Sequence, residues 1–181
     1  MLSRFTKLYP DLQLELTTGL STDLLADYEA GQLDVVIAKR KKSSTVQRGR
    51  IIWREPLVWI CAKDYEIELS RPVRLVMMRP PCAYRAIMIE AMASVRREWS
   101  SACLASNLIG VQAAVAGGLG ITALGTSFLQ EGMRIIEPSQ KLPTLPTTEV
   151  AVIGDESRTQ HLVQPLVSLL TEGLMSSGSL T

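Results

Sequence analysis

The segment Leu75–Arg85, LVMMRPPCAYR, sets a cysteine and an arginine three positions apart behind a Pro-Pro pair. Arg85 suits recognition chemistry, because a planar guanidinium holds a carboxylate by two parallel hydrogen bonds; the plain alternative is a solvated helix residue. Cys82 has three readings: a small buried apolar residue, part of a ligand-contacting wall, or a nucleophile. The last lacks support, since the sole histidine, His161, is far downstream and no acid–base partner is suggested. Ser21, Ser106 and Asn107 are residue types that cap helices, and the free N–H groups at a helix N-terminus attract anions. Thr17 and Thr18 precede the first of these, and strand propensity alone explains both. Lys39-Arg40-Lys41-Lys42, with Arg48, Arg50 and Arg54, concentrates positive charge without an acid. A solvated loop is the bland reading; steering of an anion by Lys39 or Arg40 ranks above contact with nucleic acid, because no recognition-helix pattern accompanies the run.

These residues need elements to hold them. Tyr9–Ala38 reads as one βαβ unit: Leu12, Leu14 and Leu16 alternate with polar residues as a strand, Ser21 caps a helix carrying Leu24, Leu25 and Tyr28, Gly31 ends it, and Leu33–Ala38 forms a second strand. A loop over Lys39–Gln47 leads to two short strands, Arg50–Trp53 and Leu57–Ala62, around Arg54-Glu55-Pro56. Arg71–Met78 reads as a strand broken by Pro80-Pro81, Tyr84–Ala93 as a helix leading to Val95–Trp99. Ser106-Asn107 cap a helix with Leu108, Val111, Ala114 and Val115, which Gly117-Gly118 end, and Ile121–Leu124 is a strand. A helix at Ser127–Gln130, strands at Met133–Ile136 and Glu149–Ile153, and an extended connection over Pro138–Thr148 follow. The last helix bears Leu162, Leu166, Leu169 and Leu170, begins or bends near Pro165, and has His161 at its exposed start; Ser176–Thr181 reads as a frayed tail. Gly117-Gly118-Leu119-Gly120 is no nucleotide fingerprint, because its glycines end a helix and release a strand, the reverse of the required order.

With 181 residues, 46% of them apolar, the chain can bury a substantial core. Nineteen basic and eighteen acidic residues leave a net charge of +1, which gives no argument for nucleic acid. No apolar run is long enough for a membrane span and the first ten residues lack a secretory core, so the default location is the cytoplasm. Cys61, Cys82 and Cys103 lack CxxC spacing, which argues against a disulfide framework or a structural zinc; no metal and no cofactor is expected.

In order, the motifs YPDLQLELTTGLS, EAGQLDVVIA, REPLVWICA and GVQAAVAGGLGITAL resemble the effector-binding domain of LysR-type transcriptional regulators, from Phe5 to about Leu170. The resemblance implies an α/β fold of two Rossmann-like lobes with a ligand cleft between them, like type II periplasmic binding proteins. Lobe I would comprise residues 1–69 and 148–181, lobe II residues 70–147. It implies a small-molecule effector, by its chemistry a carboxylate, contacted by Thr18, Ser21, Lys39, Cys82, Arg85, Ser106 and Asn107. It further implies a dimer or tetramer that acts on DNA through an N-terminal winged helix-turn-helix, with no enzymatic activity. That DNA-binding part and the first strand of lobe I are expected before Met1, so the chain reads as a fragment. A solute-binding protein of a transport system would share the fold and is the alternative.

Overall fold

The computed structural model describes residues 2–41, 49–68, 70–137, 142–154 and 160–177. In chain order its elements are α1 (Leu2–Leu8), α2 (Ser21–Glu29), β1 (Val36–Lys41), β2 (Arg50–Ala62), β3 (Val73–Met78), α3 (Ala83–Ser94), β4 (Trp99–Ala105), α4 (Leu108–Ala116), β5 (Thr122–Gly125), a 3-10 turn (Thr126–Phe128), β6 (Met133–Ile135), β7 (Thr147–Ile153) and α5 (Gln160–Ser177). Packing groups them into two units, Met1–Arg54 with Glu149–Thr181, and Glu55–Thr148. Each mixes strands and helices, the expected α/β class. The chain passes from one unit to the other within β2 and returns within β7.

In the first unit β7 lies between β1 and β2. Alternate residues of β7 serve different cores, as the two-residue strand period requires. Val150 and Val152 join Ile52 and the α5 residues Val163 and Val167. Ile153 joins Val36, Ala38 and the α2 side chains Leu24, Leu25 and Tyr28. The buried line of α5 is therefore the valine pair four residues apart; Leu166, Leu169 and Leu170 flank it half-buried, and the Leu162 side chain lies outside the described residues. Periodicity marks an apolar stripe, but the opposing sheet decides which part of the stripe is its centre. The helix starts at Gln160, ahead of Pro165 rather than at it, and His161 is exposed near its start, as expected. Helix α1 was not foreseen in the sequence. It buries Phe5, whose ring lies 4.9 Å from that of Tyr9.

The expected strand over Leu12–Leu16 does not form, and Leu16 is 70% exposed. Alternation says which side chains would face a core, yet a strand also needs a neighbour to complete its hydrogen bonds. The βαβ unit is thus a segment without regular structure, followed by α2 and β1. Gly31 does hold the left-handed conformation after the α2 C-cap (φ 73°) that lets the chain leave the helix. Within the basic run, Lys42 and Arg48 lie outside the described residues, as do most of the 39–47 loop, Pro138 and the last four residues.

The second unit holds the rest of β2, antiparallel to β5 (Leu57↔Gly125 to Ile60↔Thr122) and to β6 (Ile60↔Ile135 to Ala62↔Met133). β2 is one strand of 13 residues rather than two. Pro56 removes one ladder donor but points outward and does not break it. β3 and β4 are parallel, from Val73↔Trp99 to Met78↔Ala105, with a register shift after Leu75. The segment after α3, Val95–Glu98, is a turn with Arg96 at φ 51°, and β4, which the sequence reading did not place, begins at Trp99. β4 opens on Trp99 and pairs with β3 along its length. The short helix expected over Ser127–Gln130 is a 3-10 turn at Thr126–Phe128. Val73, Leu75 and Met77 on one face of β3 pack with Met88, Ala91 and Met92 of α3. Val76 on the other face meets Val111 and Val115 of α4.

Candidate functional site

In the second unit the parallel pairing puts the ends of β3 and β4 side by side, Met78 opposite Ala105, with the Arg79 N–H donating to the Ala105 carbonyl at 3.0 Å. From each end the chain turns into a helix. Past β3 it runs through Pro80-Pro81 to Cys82, the α3 N-cap position, with Arg85 in the first turn. Past β4 it runs through Ser106 and Asn107 into α4. Cys82, Arg85, Ser106 and Asn107 therefore gather at the carboxyl ends of neighbouring parallel strands, the place where α/β folds bind ligands.

Their environments differ. Asn107 caps α4, its Oδ1 accepting the Gly110 N–H at 2.8 Å, while Ser106 is exposed and does not cap. The head of α3 has neither a side-chain cap nor an acid in its first turn, and Cys82 is half-buried there. Arg85 is also half-buried, and its Nη1–H group donates to the Met77 sulfur at 3.8 Å. Among the described residues it has no carboxylate partner. A half-buried guanidinium whose charge no acid offsets is a strong attractor for an anion.

In the first unit Ser21 is not the cap. That position falls to Leu20, and the Ser21 Oγ instead accepts the Lys39 N–H of β1 at 3.1 Å. Capping was the local inference; the neighbouring strand edge supplies a competing donor that the sequence does not reveal. Ser21 and Lys39 are thereby brought together, whereas Thr18 is exposed on the segment before α2. Arg40 turns to Glu149 of β7, which it shares with Arg54, at 3.2 and 3.1 Å. Removal from water would raise the Glu149 pKa, but the hydrogen bonds from Arg54 and Arg40 outweigh that and hold it below its ordinary 4.5. A carboxyl lowered on folding contributes stability that is present above its unfolded pKa and lost as the pH falls through the folded one. Urea midpoints are therefore expected to drop on acidification from about pH 4.5 downward, and Glu149→Gln should shrink that pH dependence; an equally steep acid limb in the variant would contradict the assignment.

Sequence reading missed a buried polar group in the second unit. Glu55 is 2% exposed, and its carboxylate accepts the Ser127 N–H of the 3-10 turn at 2.8 Å. Its carbonyl accepts the Thr148 hydroxyl at 3.2 Å. Burial, then the Glu55 carboxylate, push the Tyr84 hydroxyl well above the ordinary tyrosine range. The signal was a lone acid in the run Ile51–Ile60, hidden because Glu55-Pro56 looks like a turn. The same turn is held from the other side by Gln112, which donates to the Phe128 carbonyl at 3.0 Å. Cys61 is fully buried and burial pushes its thiol pKa up, the opposite of activation. Among the described residues no cluster of three His, Cys, Asp or Glu could hold a metal ion, and no helix is long and apolar enough to cross a membrane.

The family described as the LysR substrate binding domain matches residues 1–175. The HTH-type transcriptional regulator PecT of Dickeya dadantii is 26% identical over 177 residues, 97% of this chain and 55% of PecT, so the chain spans about half the length of the curated relatives it matches. The reduced regulatory domain of OxyR2 from Vibrio vulnificus superposes with a TM-score of 0.70 at 17% identity, covering 94% of this chain and 86% of that one. The CcmR regulatory domain of Synechocystis PCC6803, solved in complex with 2-PG, gives 0.69 at 14% identity, covering 93% and 88%. The solved domains share the α/β fold of this chain, and with the family match that fold is the one of LysR regulatory domains, of the type II periplasmic-binding-protein kind. The chain belongs to the LysR substrate binding domain family.

Proposed function

We propose that the chain is the effector-sensing part of a cytoplasmic LysR-type transcription regulator, that it performs no chemistry, and that its effector is a small carboxylate. The observation that carries the ligand class is Arg85: half-buried, at the uncapped head of α3, at the carboxyl end of a parallel strand, and without a carboxylate partner among the described residues. Cys82, Ser106 and Asn107 share that location, and Thr18, Ser21 and Lys39 are the contacts proposed from the first unit. The relative solved with 2-PG supports a small molecule as the ligand of this fold. DNA binding would belong to an N-terminal winged helix-turn-helix, and the working regulator would be a dimer or tetramer. The effector would act by binding one conformation better than another, since a ligand shifts an equilibrium only by its differential affinity.

Calorimetric titration with a panel of aromatic and aliphatic carboxylates should find a binder. Arg85→Ala should weaken it about tenfold to a hundredfold, the loss expected for a charge-assisted bidentate contact. Equal affinity in the variant would remove Arg85 from the site.

A further inference from the structure

The guanidinium that the proposed function relies on is held by a sulfur rather than by an acid. Met77 is fully buried in β3, and its thioether is the acceptor for Arg85 Nη1–H at 3.8 Å. Helix α3 is tied to the sheet by a second sulfur one turn further on: the Met88 Sδ accepts the Ala123 N–H of β5 at 3.2 Å and lies 3.9 Å from the Thr122 hydroxyl. Arg85 thus stands on a helix whose position is fixed, with one arm of its side chain fixed as well. We propose that Met77 is a positioning residue for Arg85, orienting the guanidinium toward an incoming anion without spending its charge. This rests on the carboxylate reading of the site.

The choice of acceptor matters chemically. An aspartate or glutamate at this place would orient the guanidinium more strongly, but it would neutralise the charge and occupy the fork that a ligand carboxylate needs. A thioether is a weak, neutral acceptor, and that of Met77 meets Arg85 through a single N–H group. The remaining donors stay available, and the rotamer entropy of a long side chain is partly lost before the ligand arrives.

Three measurements test this. In protein carrying labelled methionine methyl groups, NMR should show a nuclear Overhauser contact between the Met77 methyl and the Arg85 guanidinium protons, and its absence overturns the proposal. Met77→Leu keeps the apolar volume; in it the Arg85 guanidinium signals should average and exchange faster with water, and Met77→Gln, which restores an acceptor, should slow them again. With benzoate as the probe, Met77→Leu should lower affinity about threefold to tenfold while the thermal midpoint stays near that of the parent, as the loss of one orienting hydrogen bond predicts. Unchanged Arg85 signals in Met77→Leu overturn the proposal. If the signals change as expected but Arg85→Ala leaves benzoate binding unaltered, the positioning stands and the carboxylate reading fails.

Discussion

Replacing Gly125 by alanine is expected to destabilise the chain by about 3–5 kcal/mol, far more than an added methyl group costs at an ordinary buried position. Gly125 ends β5 in a fully buried strand, and the place a β-carbon would take is already filled by the Glu55 carboxylate. The carboxylate cannot simply swing away, because it is 2% exposed and is the acceptor for the Ser127 N–H. Alanine would therefore impose overpacking, about 1–3 kcal/mol, and strip an acceptor from a backbone donor, a similar amount. Urea denaturation gives the figure directly. A loss under about 1 kcal/mol would mean that the carboxylate does not sit over Gly125.

Met88→Leu should cost about 2–4 kcal/mol although the two side chains are close in volume, since such swaps alone usually cost less than about 1.5. The excess comes from the sulfur: leucine offers no acceptor to the Ala123 N–H, and a buried donor left unsatisfied costs about 1–3 kcal/mol. Met92 supplies the control. It is fully buried on the same helix and in the same core, and among the described residues no donor is bonded to its sulfur. Met92→Leu should therefore fall within the range for a plain volume-conserving change. Equal losses for the two variants in the same denaturation series would show that the Met88 sulfur is only packing.

Helices α3 and α4, the Asn107 cap, and the glycine exits at Gly31 and Gly118 could be read from the sequence, because each depends on residues within a turn of one another. So could the place of Cys82 and Arg85 past the end of β3, once β3 and α3 were placed. What failed depended on distant partners. The leucine alternation at Leu12–Leu16 could not say whether a strand edge was available to pair with. Ser21 looked like a cap until the β1 backbone at Lys39 came within reach of its hydroxyl. β2 was split at Glu55-Pro56 because those residues suit turns, yet the acid is buried by a hydrogen bond to a residue far along the chain. Arg40, read as free to steer an anion, has Glu149 of β7 as its partner. Nothing in the sequence singles out Met77 or Met88, since sulfur acting as an acceptor leaves no mark on a hydrophobic pattern.

The Glu55 carboxylate over Gly125 also makes the order of mutation matter. While a long acid stands at position 55, position 125 is closed to every residue with a β-carbon, so alanine there would be eliminated on first appearance. Once position 55 has been shortened the same alanine meets an opening, and the two changes together should cost less than the sum of each alone. Drift at the end of β5 is thus locked to the history of a residue seventy positions earlier.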